Sequence, residues 1–271
     1  MATLLTTEWL KMRKYRAFWW MTGIIALSYP GINYLFHKLY RDLAGKTDRT
    51  GAMIRRLGNP YTFPEVWHTV AFFSSWFIFI PSIIIIMFIT NEYTYKTHRQ
   101  NIIDGWSRRQ FLLSKLIDLL VITLLVSLMY IIVSLVIGYV NTGDGVKVNV
   151  WEGSEYIFYF ALQTFSQLSI AFLIAFLARK AFIALGIFLF YFIILEPVIV
   201  GVAKAKANDI GRFMPLEISD RIVPLPAFLG VMDEKAYRQQ MVSIDNHIIY
   251  TLILVAVTWA VCFWINNRRD L

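Results

Sequence analysis

Long apolar runs alternate with polar connections along this chain, and the runs set the expected fold. Six stretches qualify: 17–36, 66–90, 116–139, 156–178, 181–202 and 248–265. Apolar runs of about 18 residues or more read as membrane-crossing helices, because a helix rises about 1.5 Å per residue and the hydrocarbon core is about 30 Å thick. Barrel strands are excluded, since they would be about ten residues long and alternate in polarity. In lipid a helix also satisfies its own backbone, which no open sheet can do. The expected fold is therefore an all-α membrane protein with six transmembrane helices in a single transmembrane domain spanning residues 1–271.

Composition agrees. The chain is 58% hydrophobic and only 16% charged, against about 25% charged in soluble domains. A polar stretch precedes the first run and no small-residue cleavage site follows it, so the first span is expected to stay in the mature protein. The lone cysteine, Cys262, lies within the last run. It excludes an internal disulfide and a cysteine-based metal cluster, and it reads as a small buried apolar residue.

Six spans place both termini on one side. With the termini inside, half of the 26 basic residues fall in short inner segments, 49 residues in all, and the other half are spread over 92 outer residues. Short basic loops weigh most, so both termini are expected to be cytoplasmic. The outer 37–68 loop, with six basic residues, fits this topology least well. The net charge of +8 then suits anionic headgroups at the inner surface of the bilayer. Nucleic acid is not an expected partner, because no basic face is organised on a soluble domain.

The polar connections carry the candidate chemistry. In residues 1–16, Leu5, Trp9 and Met12 recur at helical spacing, with Glu8, Lys11 and Lys14 placed largely elsewhere around the helix. This reads either as an interfacial helix or as a plain basic flank. In 91–112 the second span runs on to Tyr95, and Gly105 interrupts the chain. Ser107 and Gln110 then form the capping-box pattern that starts a new helix. Between the two helices lies Gln100 to Asp104, with Ile102 and Ile103 adjacent at its tip, and Arg99, Asn101, Ile102, Ile103 and Asp104 are the candidate docking residues. Such a tip needs cover from lipid, chain or partner.

The stretch E-Y-x-x-K-T-x-R (Glu92, Tyr93, Lys96, Thr97, Arg99), the run S-R-R-Q-F-L-L-S-K (Ser107 to Lys115), the basic N-terminus and six spans together resemble a permease of the ABC-2 type exporter family. The resemblance implies that 91–112 is a coupling segment docking on a separate ATP-binding cassette subunit. It implies a second permease, identical or paralogous, as partner. It also implies that residues 203–247 form short external helices dipping back into the membrane, and Pro215, Pro224 and Pro226 would break them into pieces. ATP and magnesium would belong to the partner. A phosphate-binding loop needs G-x-x-x-x-G-K-[ST], and Gly45-Lys46-Thr47 lacks the first glycine because position 40 is Tyr. No ATP-binding or catalytic motif is therefore expected in this chain, and no cofactor or metal site of its own.

Within the spans, Glu196 precedes Pro197 near the expected outer end of span five, where a carboxylate reaches water. The pair reads as gating or structural rather than as substrate chemistry. Lys115 and Asp118, three apart, read as a helix-end ion pair at the interface. Gln163, Ser166 and Gln167 lie close together on span four. They either hold neighbouring helices together or line a substrate path. Two other classes stay open: a membrane scaffold or assembly subunit, and a secondary transporter, against which stand the lack of an internal repeat and the small number of mid-membrane charges.

Overall fold

A computed structural model describes residues 2–103, 105–143, 148–206, 209–230 and 234–268, and among them every regular element is helical. The chain opens with α1 (Ala2–Lys14), α2 (Arg16–Ala44) and a short α3 (Arg49–Arg56). A broken pair follows, α4 (Val66–Ser75) and α5 (Phe79–Thr94), then α6 (Thr97–Ile103). Next come α7 (Arg108–Asn141) and α8 (Glu155–Ala178). The helix α9 (Ala181–Phe190) passes through one π-helical turn (Tyr191–Leu195) into α10 (Glu196–Ala205). After a 3-10 turn (Asp209–Phe213) lie α11 (Pro215–Asp220), α12 (Ala227–Gly230) and α13 (Glu234–Val242), then α14 (Ile244–Arg268).

Among the described residues, four helices are long and apolar enough to cross a membrane: α7, α8, α9–α10 taken as one, and α14. The pair α4–α5 makes a fifth if its two halves are one span, bent by 48°. The sixth expected run lies in α2, which is not among them. Its 29 residues give a length of about 43 Å, but Thr22, Ser28 and Asn33 dilute the run and Pro30 sits in its middle. The second run is also not the single straight helix that was expected. Pro81 in the first turn of α5 has no N–H, and its ring crowds the carbonyl four residues back at Phe77, so the helix breaks between Ser75 and Phe79.

The helix α8 forms the centre of the bundle. Of its apolar window 72% is buried, against 22% for α9–α10 and for α14, which leave apolar faces turned outward. Lipid tails are as apolar as leucine, so contact and interhelical hydrogen bonds hold such a bundle together. Tyr130 OH donates to Trp67 O at 2.8 Å, joining α7 to α4. Trp259 Nε1 donates to Ser169 Oγ at 3.1 Å, joining α14 to α8.

The segments between the spans are packed. In the 37–68 loop, α2 runs on to Ala44 and Asp48 caps α3 by accepting from Gly51 N at 2.8 Å. Arg55 then closes the hairpin on the Ala44 and Lys46 carbonyls. In residues 203–247, Leu216, Ile222, Val223 and Phe228 are buried. His68 Nε2 donates to Pro224 O at 2.7 Å and its ring stacks on Tyr156, which ties this region to α4 and α8.

Candidate functional site

Among the described residues two polar sites stand out in this apolar bundle. The first is built where α1, α5 and α7 meet. The side chain of Lys115 is fully buried on α7. Its Nζ lies 2.7 Å from Glu8 Oε2, 2.7 Å from Glu92 Oε1 and 3.3 Å from Asp118 Oδ2. Lys11 Nζ closes the network at 2.8 Å from Glu8 Oε1 and 3.0 Å from Glu92 Oε1. Three carboxylates therefore share two cations. An ammonium has three donors and no acceptor, so Lys115 spends its whole hydrogen-bonding capacity here. Phe88 and Phe111 hold the ammonium from either side, their ring centroids 5.1 and 5.6 Å away. Burial pushes the Glu8 carboxyl up, but Lys115 and Lys11 outweigh it and hold the group below its ordinary value.

This cluster corrects two expectations. Lys115 and Asp118 do not form an isolated interfacial pair, because both are buried with Glu8 and Glu92. Glu8 and Lys11 were set apart from the apolar stripe of an interfacial helix or basic flank, yet Glu8 is buried in the bundle and Lys11 reaches inward. Met12 is buried as expected of the apolar face, while Trp9 remains 42% exposed. A Glu-x-x-Lys spacing beside an apolar stripe was the available sequence signal for an inward-facing pair. The partners 81 and more residues away left no local trace.

Residues 91–112, expected from the resemblance to be a coupling segment, hang directly on this cluster. The helix α5 ends at Thr94, and Lys96 turns the chain through a positive φ of 55°. His98 Nδ1 then bonds Glu92 O at 3.1 Å, fastening α6 to the end of α5 that carries the buried carboxylate. Gly105 has φ +96°, a conformation that side chains resist, and it turns the chain from α6 towards α7. Ser107 starts α7 with the full capping box: Ser107 Oγ accepts from Gln110 N at 3.2 Å and Gln110 Oε1 from Ser107 N at 2.8 Å. Of the residues expected at the tip, Asn101 and Ile102 are half-buried and Ile103 is 77% exposed. Arg99 lies within α6, and Asp104 lies outside the described residues. Arg108 Nη1 donates to Asn267 O at 3.4 Å and Asn266 Nδ2 to Arg108 O at 2.9 Å. The last turn of α14 therefore meets the first turn of α7, about two turns from Lys115.

The second site is a cavity of about 500 Å³ between α4, α8, α10 and α11. Pro197 shapes it. Its ring would crowd the Ile193 carbonyl, and the chain takes a π turn here, with Glu196 N bonded five residues back to Tyr191 O. Glu196 does not reach water at the span end as expected. It is 3% exposed, and its Oε1 accepts from Glu217 N at 2.6 Å. Gln163 and Gln167 are brought together one turn apart, and both donate to Asp220 Oδ1, at 2.9 and 2.6 Å. They thus clamp α11 to α8 and also line the cavity. Ser166 is buried and does not line it. Asp220 is accessible, yet the protein crowded around it pushes its carboxyl up, to about 7. Glu217 pairs with Lys204 at 3.2 Å and Arg221 at 2.9 Å. Sequence reasoning missed Asp220 and Glu217. A single acid between the apolar pairs Leu216/Ile218 and Ile222/Val223 was the only signal.

Helices long enough to span, with broken polar segments folded against them and a buried ion cluster among them, define a multi-pass membrane protein. The chain belongs to the ABC-2 transporter family: the family model described as ABC-2 family transporter protein matches residues 4–195. It is a membrane permease component of an ABC transporter and works with an ABC ATPase partner. No curated protein matches the chain. The matched stretch contains the whole ion cluster and the coupling segment, together with Gln163 and Gln167. Glu196, Pro197, Glu217 and Asp220 lie beyond it.

Proposed function

We propose that this chain is the six-span permease half of an ATP-driven exporter in the inner (plasma) membrane of a bacterium. It pairs with a second six-span permease and two ATPase subunits. In this reading α2 is the first span, α1 lies at the inner interface, and both termini are cytoplasmic. Residues 203–247 cap the outer end, with Glu196-Pro197 as their hinge. ATP and magnesium sit on the partner, and this chain does no chemistry of its own.

The observation that carries the reading is the attachment of α6 to the buried ion cluster. Closure of the ATPases would push on residues 91–112. Glu92 belongs both to the cluster and to the anchor of α6, so a push on α6 is delivered to α1, α5 and α7 together. A buried ion network has few alternative arrangements, because each unpaired charge is costly. It therefore moves its helices as a unit. The end of α14 bonds the start of α7, and the same part of α7 holds α1 through Lys115 and Glu8, which supports a common side for both termini.

Ile103 provides the test, since it is exposed and its replacement leaves the bundle intact. In proteoliposomes holding permease and ATPase, Ile103→Asp is expected to weaken ATPase docking by about tenfold, the scale of an interface anchor. Transport should fall with it while thermal unfolding stays unchanged. Labelling of a cysteine at position 103 from outside intact cells would overturn the topology and the docking together.

A further inference from the structure

The cavity between α8, α10 and α11 has a chemistry that coupling does not require. Three of its lining side chains are almost completely buried: Gln163, Gln167 and Glu196, at 1, 2 and 3% exposure. Gln163 Oε1, Gln167 Oε1 and Glu196 Oε2 each lack a well-placed hydrogen-bond donor, and the Tyr191 hydroxyl is the neutral side chain beside the Glu196 carboxyl. All three orphans are acceptors. Both glutamine amide groups are already committed to Asp220, and Lys204 is committed to Glu217. The walls add three aromatic rings, Phe72, Trp76 and Phe192.

We infer that this cavity is a binding site for an organic cation, a protonated primary amine carried on a short apolar or aromatic body. Buried acceptors left unpaired are costly, and a ligand that supplies donors recovers that cost. An ammonium brings three donors, matching three orphan oxygens. Its charge is complementary to Glu196 and Asp220, and aromatic faces attract cations. The volume suits a drug-sized molecule. An anion would meet three lining carboxylates, and a neutral apolar molecule would leave the acceptors unpaired. A bare metal ion fits poorly, because among the described residues no group of three His, Cys, Asp or Glu side chains is placed to hold one. That the bound amine is also the exported substrate rests on the exporter reading above; the binding itself does not.

The test is equilibrium dialysis of the full chain in lipid nanodiscs, without ATPase or ATP, against empty nanodiscs as the partition baseline. The probes are 4-phenylbutylammonium and its neutral counterpart 4-phenylbutanol. Saturable binding of the amine is expected, at least about tenfold tighter than the alcohol, the scale of hydrogen bonds to a charged group. Glu196→Gln and, separately, Gln163→Leu should each weaken the amine by about tenfold and leave the alcohol unchanged. Equal affinity for the two probes, or no saturable binding above empty discs, overturns the inference. So does undiminished amine binding by Gln163→Leu, which decides the matter if Glu196→Gln fails to fold. Loss of binding with ATPase coupling intact would defeat this site alone. Amine binding that survives while Ile103→Asp leaves coupling unchanged would defeat the exporter reading alone.

Discussion

The ion cluster and the cavity are both polar sites in an apolar bundle, and they solve the cost of burial in different ways. In the cluster, every carboxylate has a cation within 3.3 Å, and Lys115 serves three of them. The cluster also keeps Glu92 Oε2 and Asp118 Oδ1 unbonded, but each of those groups has a cation on its other oxygen. In the cavity, by contrast, Glu196 has the Glu217 amide and the Tyr191 hydroxyl rather than a cation, and two glutamine oxygens have no partner. A charge that is paired locally fastens helices to one another. A charge left short of partners waits for one from outside. The first arrangement suits a joint that must transmit force, and the second suits a site that must receive a ligand. The contrast also follows the chain: the cluster lies wholly inside the family-matched residues 4–195, and the acids of the cavity lie beyond them.

The largest expected effect tests whether the cluster is a joint. Lys115→Met leaves three buried carboxylates with Lys11 as their only cation, and breaking such a buried network costs about 3–5 kcal/mol. The matching change beside the cavity, Lys204→Met, removes a half-exposed partner of Glu217, which is worth about 0–1 kcal/mol. Denaturant or thermal unfolding of the two variants in the same detergent checks the ranking. Equal losses would erase the distinction between the regions.

Acidity should separate them by sign. Glu8 is held below its ordinary 4.5 in the folded chain. Its contribution is therefore fully present above about pH 4.5 and is lost as pH falls through the lowered value. Asp220 is raised from 3.8 to about 7. Between those values the folded chain binds the proton more tightly than the unfolded one, so stability falls as pH rises from about 4 to 7 and levels off above. The charged groups around Asp220 are Glu217 and Arg221 from its own segment and Glu196 and Lys204 from α10. The helix α8 offers only neutral glutamines, and His247 of α14 bonds back to Ser243 O. Asp220→Asn should flatten the decline between pH 4 and 7, and Glu8→Gln should blunt the acid-side loss. Unfolding midpoints across pH 3–8 read both. A decline that persists in Asp220→Asn would assign it to another group.

The contrast between the regions also marks what the sequence made legible. The apolar runs revealed the helices because hydropathy acts over a whole turn, and Ser107 with Gln110 revealed the start of α7 because a cap is local. The long-range partners were not legible. Nothing near Glu8 announces Glu92 or Lys115, and nothing near Gln163 announces Asp220, 57 residues on. The burial of Glu196 was misread for a related reason. Distance along a span suggests depth, but α11 folds back over the span end and supplies the Glu217 amide. The straight second span failed on one residue, Pro81, whose effect apolarity conceals.

The smallest expected effect asks how far the two regions are independent. Ser107→Ala removes the cap that accepts from Gln110 N. Such caps are worth about 1 kcal/mol, and the side chain is exposed, so no cavity is created. The first turn of α7 should fray. Amide exchange at residues 109–111 should quicken about fivefold, the factor that 1 kcal/mol corresponds to at room temperature. Lys115 sits two turns further along, braced by Glu8 and Glu92, so exchange beyond it should be unchanged. Protection of Pro215–Asp220 should also hold, because α11 is clamped to α8 through Gln163 and Gln167 rather than to α7. Faster exchange in α11 would mean that a change at the coupling segment reaches the cavity without ATP. The two sites would then be one mechanical unit, and the line drawn between joint and receptor would have to move.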